Sequence, residues 1–229
     1  MALDSGQVET ITFDSFSTLV DVDSTAPAVA PYVDDPIPFA REWHSRAATY
    51  GMIANYIDAY ETYFQLHRDA LEYLLAVEDV TVSEAELDEM TAIYHEMRPF
   101  DDVEPGLTQL AEAGYTLGVI SNGDPAMLES LLAVTEVKDQ LSAVVSADEI
   151  ERHKPAVELY EHAADRLETP IDRITHVSNG IVDVYGAMHA GMQGIWLNRQ
   201  DAPAEPFGPS PDLCIDSIED LVAHVEPSE

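Results

Sequence analysis

Residues 10–18, TITFDSFST, put a carboxylate, Asp14, directly after a short run in which Ile11 and Phe13 alternate with threonines. Three hydroxyl groups follow it, on Ser15, Ser17 and Thr18. A carboxylate in that setting can act as a nucleophile, and the hydroxyls and amides of a small polar loop can hold an anion beside it. Its plain alternative is an aspartate that caps a turn. A second candidate is Lys154, one of two lysines in the chain, in the stretch RHKPAVELY. Proline favours the first helical position, so Pro155 places Lys154 at the start of a helix. From there it can pair with Asp14, favour the charged carboxylate and bind an anionic substrate. Ser121 and Asn122 precede GDPAML, in which Asp124 suits an N-cap and Pro125 the first turn, and such a helix start favours anions. Asp183, in VSNGIVD with Ser178 and Asn179, is a fourth candidate, and its plain reading is a cap or a surface charge.

The elements that must position these groups follow from hydrophobic periodicity. Short apolar runs at 10–13, 115–120, 142–145, 174–177 and 194–197, with a weaker one at 213–215, each end in small polar residues and are followed by helical patterns. Such alternation predicts an α/β fold with a parallel, Rossmann-like sheet and right-handed crossovers, in which ligands sit at the carboxyl ends of the strands. Asp14, Ser121, Asn122, Ser178 and Asn179 all fall there. From about residue 37 to 98 the alternation stops, apolar residues recur every three or four positions, and Ser83 with Glu86 forms a capping-box pattern. This predicts a helical insert, entered through a segment holding Pro27, Pro31, Pro36 and Pro38 and left at Pro99. The expected division is a sheet-bearing core of residues 1–20 and 99–229 with a helical cap of 21–98.

The constellation resembles the haloacid dehalogenase superfamily. The similarity rests on a strand followed by Asp and, four residues on, Thr; a strand ending in SNG; a Lys-Pro with a tyrosine, Tyr160, six residues after the lysine; and VSNGIVD. It extends over essentially the whole chain and includes a cap inserted after the first motif. In phosphatases of that superfamily a second aspartate stands two residues after the nucleophile, because an alcohol leaving group needs a general acid. This chain has Phe16 there, and Asn179 where phosphatases place an acidic magnesium ligand. The branch acting on halogenated acids is the better likeness. That resemblance implies an attack by Asp14 on the carbon bearing the halogen of a short 2-halo acid, giving an ester and halide, followed by hydrolysis with Lys154 and Asp183 placing or activating the water. It implies that Ser121 and Asn122 bind the substrate carboxylate and that Thr18 supports the nucleophile. Tyr160, Ser178 and Asn179 then lie nearby, and Phe16 with cap aromatics such as Trp43 and Tyr50 forms an apolar wall. No cofactor is expected.

The chain departs from that pattern at three places. Where the halide-binding arginine would follow a tryptophan, it has Trp43 and His44. Arg41, three residues earlier than His44, or a protonated His44 could supply the cation, and both could equally be cap surface residues. Ser17 stands for a glycine and Gly180 for an asparagine. Two other readings therefore stay open, a magnesium-dependent phosphatase and a catalytically weak protein that closes on an anionic metabolite.

Charge bounds all three. The chain has 229 residues, with 44 acidic and 10 basic, net −34, and the acids are scattered among apolar residues. Nucleic-acid binding is not expected, because phosphate backbones demand clustered Lys and Arg. No apolar run is long enough to cross a membrane, the first residues carry no basic leader, and Cys214 has no partner for a disulfide, so a cytoplasmic protein is expected. An aromatic-rich cap could also support a homodimer. An entirely acidic surface suits a salt-rich cytoplasm, since at 1 M salt the Debye length falls to about 3 Å and self-repulsion is suppressed. The melting temperature should therefore climb as salt rises from millimolar to molar, and a thermal unfolding curve unaffected by salt would remove this reading.

Overall fold

The computed structural model describes residues 3–225. Six strands form one parallel sheet: β1 (Thr10–Phe13), β4 (Thr116–Ser121), β5 (Leu141–Ser146), β6 (Ile174–Ser178), β7 (Gln193–Leu197) and β8 (Leu213–Ile215), in the order β5-β4-β1-β6-β7-β8. Helices α5 (Val103–Glu112), α6 (Pro125–Thr135), α7 (Val157–Arg166), α8 (Ile181–Ala190) and α9 (Ile218–Val222) provide the crossovers and the end of the fold. This is the α/β architecture expected from the alternation. β1 lies in the middle, with Phe13 in register with Val119 of β4 and Val177 of β6. Asp14, Ser121 and Ser178 thus reach the same edge of the sheet.

Both faces of β1 are buried, which explains its mixed sequence. Ile11 and Phe13 enter a large core with Leu107 and Leu110 of α5 and Ile218 and Leu221 of α9. The threonines point the other way and hydrogen-bond: Thr12 Oγ1 lies 2.9 Å from His176 Nδ1 on β6. A smaller cluster packs Leu159, Tyr160 and Ala163 of α7 and Ala187 of α8 on Ile120 and Val145.

Between β1 and β4 the chain adds α1 (Ala26–Val29), α2 (Pro36–Ile57), α3 (Tyr63–Val77) and α4 (Glu84–Thr91). Ser83 caps α4 in a capping box with Glu86. The large core runs without a break from Phe16 and Leu19 into Trp43, Leu71 and Tyr94 of this insert. Sequence periodicity missed the two-residue pair at its neck, where β2 (Val20–Asp21) runs antiparallel to β3 (Arg98–Pro99). It also missed the break after α2, where Asp58 adopts a left-handed φ of 57° and Thr62 caps α3 by accepting from the Gln65 amide. A third correction concerns Pro155. It precedes α7 by two residues, with Ala156 at the N-cap, so Lys154 sits in a loop and not at a helix start.

One close approach fixes α8 against α7. A Cβ built on Gly186 would stand 2.6 Å from both Pro155 Cβ and the Tyr160 hydroxyl, well inside contact distance. Gly186→Ala should cost about 1–3 kcal/mol, as overpacking does, which at roughly 2–4 °C per kcal/mol for a chain this size is a visible fall in melting temperature. An unchanged melting curve would show that the two helices can part freely.

Candidate functional site

The floor of the site is one ammonium between two carboxylates. Lys154 Nζ lies 2.9 Å from Asp14 Oδ1 and 2.8 Å from Asp183 Oδ2. Their side chains are 6%, 16% and 12% exposed, so all three charges are largely withdrawn from water. They come from three separate elements: the end of β1, the loop before α7 and the first turn of α8. Each carboxylate is held at its other oxygen. Thr18 donates to Asp14 Oδ2 at 3.0 Å, and Tyr160 donates to Asp183 Oδ1 at 2.6 Å. His176 Nε2 also meets Asp183 Oδ2 at 3.0 Å. Because a carboxylate only accepts, this ring nitrogen carries the proton, and in a neutral ring Nδ1 then accepts from Thr12.

These contacts set the ionisation. Burial alone works against the charge of Asp183, but Lys154 and then His176 overcome it and hold the carboxyl well below the usual range. Burial likewise opposes the charge on Lys154, yet Asp14 and Asp183 together raise its pKa. Burial, then Asp183, pushes the Tyr160 phenol far up, so it remains a donor.

Above this floor is a cavity of about 310 Å³. Asp14, Lys154, Asp183, Asn122, Ser178 and Asn179 line it with polar groups, as do Ser17, Ser45 and Thr49, and Phe16, His44 and Tyr63 add their rings. The Asn122 side chain accepts from the Lys154 amide at 2.7 Å, and the Asn179 amide donates to Thr18 at 3.0 Å. Ser178 Oγ accepts from the Gly180 amide at 3.1 Å. The side-chain oxygen of Asn179 is buried without a partner. Ser121 is behind the wall: its hydroxyl meets Ser15 Oγ at 2.6 Å and accepts from the Gly123 amide at 2.9 Å. Ser17 takes a left-handed φ of 66°, the conformation a glycine would adopt without strain.

The two cationic candidates do not bring a positive charge to the cavity. Arg41 is bound through Nε and Nη2 to both oxygens of Asp23, at 2.7 and 2.6 Å, and lines a neighbouring cavity instead. His44 does line the site, but burial lowers its pKa to about 4, the opposing pull of Asp14 notwithstanding, so near neutral pH it is uncharged. Behind it, His67 donates from Nδ1 to the Tyr63 carbonyl at 2.8 Å and sets Nε2 at 3.4 Å from His44 Nδ1. Trp43 is fully buried, with its indole N–H on the His67 carbonyl, and Tyr50 packs against the same core. His176 and Tyr63 were not legible beforehand, since a histidine within a buried strand and a tyrosine in an amphipathic helix both read as core.

The arrangement suits covalent catalysis by a carboxylate. Asp14 is fixed at both oxygens and faces a cavity also lined by Phe16, which offers no proton to a leaving group. It does not suit a divalent metal: the oxygens of Asp14 and Asp183 are already engaged by Lys154, Thr18, Tyr160 and His176, and Asn179 is a neutral donor. Among the described residues no group of three or more His, Cys, Asp or Glu could hold a metal ion, and no helix is long and apolar enough to cross a membrane.

Comparison with known proteins points the same way. The family profile of haloacid dehalogenase-like hydrolases matches residues 8–191. An (S)-2-haloacid dehalogenase of Pseudomonas sp. strain CBS-3 is 26% identical over 216 residues, covering 94% of each chain. A crystal structure of an L-2-haloacid dehalogenase superposes with a TM-score of 0.90 at 26% identity, over 95% of this chain and 98% of that one. The fold is also that of the L-2-haloacid dehalogenase of Xanthobacter autotrophicus with chloropropionic acid covalently bound, at a TM-score of 0.86, 24% identity and coverage of 94% and 97%.

The buried triad should dominate acid stability. A carboxyl with a depressed native pKa contributes stability that is complete above its unfolded value, near 4, and is lost as pH falls towards the native one. Lys154→Met keeps the apolar stem but strands two buried carboxylates, so it should cost about 3–5 kcal/mol at neutral pH. That penalty should shrink as pH falls towards 4, because without Lys154 burial raises the native carboxyl pKa and protonation relieves the stranded charges. Equal denaturation curves for both proteins at pH 7 and pH 4 would show that the charges are not coupled.

Proposed function

The chain belongs to the haloacid dehalogenase-like hydrolases, and from that premise we propose that it removes halide hydrolytically from 2-haloalkanoic acids of (S) configuration, through an ester on Asp14. The observation that carries this reading is Lys154 holding Asp14 and Asp183 together beneath a cavity walled by Phe16. In the first step a carboxylate oxygen of Asp14 attacks C2 from the side opposite the halogen. The new C–O bond forms as the carbon–halogen bond breaks, and halide leaves with the electron pair, so no proton is required. Water then adds to the ester carbonyl, and its collapse returns the aspartate and releases a 2-hydroxy acid.

Asn122 and the start of α6 receive the substrate carboxylate, with Ser121 shaping that turn from behind. Thr18 and Lys154 fix the nucleophile, Asp183 and Lys154 place the water, and Tyr160 and His176 hold Asp183. Phe16, His44 and Tyr63 surround the departing halide. Residues 21–98 act as the cap over a core of 1–20 and 99–229, and the acidic surface fits work in a salt-rich cytoplasm. No metal enters this scheme. A magnesium-dependent phosphatase finds less support, given Phe16, Asn179 and the engaged carboxylates.

The test is bromide release from (S)- and (R)-2-bromopropanoate in molar sodium chloride. The native protein should act on the (S) acid, and Asp14→Asn should lose turnover by on the order of 10⁴-fold or more, as removal of a nucleophile does. Arg41→Ala should keep native turnover, because its guanidinium is committed to Asp23. Release that persists without Asp14 would sink the ester mechanism.

A further inference from the structure

One wall of the cavity has no part in the chemistry above. Where the lining is neither polar nor aromatic it consists of Ala48 and Met52 on α2 and Gly180, Ile181 and Val182 around the start of α8, together with Pro155. This wall does not stop inside. Val182 is 48% exposed although it lines the cavity. On α2 the next residue along the face of Met52, four positions on, is Tyr56, which is 91% exposed. With Ser45 and Thr49 of α2 as its polar margin, an apolar strip through Met52, Ile181 and Val182 therefore leads from the interior to solvent on a chain rich in acids.

The space is also larger than a two- or three-carbon acid uses. At roughly 30 Å³ for each water-sized group, the six heavy atoms of 2-bromopropanoate take up about 180 Å³ of the 310 Å³ present. That leaves room for roughly four more carbons at the same packing. Gly180 widens it at the strip: a Cβ there would meet nothing closer than Ser178 Oγ at 3.5 Å and Asp183 Cβ at 3.9 Å, so a larger residue has space and none is present.

We infer that the strip takes the alkyl chain of the substrate, and that the protein prefers straight-chain 2-haloalkanoates of about five to seven carbons to the two- and three-carbon acids. The inference rests on the proposed dehalogenation for its substrate class and on the cavity wall for its chain length. A substrate carbon bearing a carboxylate, a halogen and an alkyl chain needs three directions. Asn122 and the start of α6 serve the first, and Phe16, His44 and Tyr63 the second. The strip is the direction that remains.

Two measurements test it together: kcat/KM for the (S)-2-bromo acids from propanoate to hexanoate, and the affinity of the unhalogenated acids over the same lengths. Burial of each methylene should raise both about fourfold. Gly180→Val should narrow the strip and cut the hexanoate-to-propanoate ratio at least tenfold, and Met52→Gln should reduce it in the same direction by making the mouth polar. Flat or falling affinity and kcat/KM beyond propanoate would overturn the strip while leaving dehalogenation standing. Affinity that rises with chain length, without bromide release from any acid, would keep the strip and sink dehalogenation.

Discussion

The ammonium of Lys154 is the constraint on which the site is built. In a chain with a net charge of −34 it is the only Lys or Arg side chain among the described residues lining the cavity, and it is shared between two buried carboxylates. Two aspartates at this depth would repel each other, and one cation at 2.9 and 2.8 Å offsets that repulsion. The arrangement is stabilising only because its geometry is complete, with Thr18, Tyr160 and His176 on the remaining oxygens. An ammonium has three donors, and two are used here, so the third is available to a water or substrate oxygen.

The fold explains how three distant segments converge on that nitrogen. A parallel sheet delivers the ends of β1, β4 and β6 to one edge, which puts Asp14, Ser121 and Ser178 side by side. Lys154 reaches the edge from a loop that Asn122 holds by its backbone amide, and Asp183 reaches it from α8, which approaches α7 closely enough to exclude a Cβ at Gly186. Even the threonines of β1 contribute. Thr12 has no core partner to replace, yet its hydroxyl orients His176, and His176 orients Asp183. The alternation of Ile and Phe with Thr is the imprint of a strand with an apolar face and a hydrogen-bonding face.

What could be read from the sequence follows from which interactions are local. Strand ends, the Asp124 cap and the Ser83 capping box depend on residues within a few positions of one another, and the structure shows them where the sequence puts them. The break at Asp58 carries no glycine or proline to announce it, and the pair of β2 with β3 joins segments almost eighty residues apart. The general preference of proline for a helix start points to Lys154 there, whereas the chain places Pro155 in the turn before α7, two residues ahead of the helix. Arg41 shows the same limit for function: its spacing from His44 is compatible with a shared face, but nothing nearby in sequence reveals that Asp23 takes its guanidinium. His176 and Tyr63 acquire meaning only once the residues across from them are known.

Charge poses the remaining difficulty, because the proposed substrate is an anion and the surface repels anions. At molar salt the repulsion extends only about 3 Å and ceases to matter for approach. Screening removes long-range attraction equally, so affinity has to come from contacts made inside. The cavity offers Lys154, already committed to two carboxylates, and a histidine that burial keeps neutral. An apolar strip adds binding that no counterion competes with, and water made less hospitable to hydrocarbon by kosmotropic salts strengthens it. On the proposed reading, a surface rich in carboxylates and an uncharged stretch of cavity wall would answer one condition: the first disperses a protein in concentrated salt, and the second holds a ligand by contacts that salt does not screen.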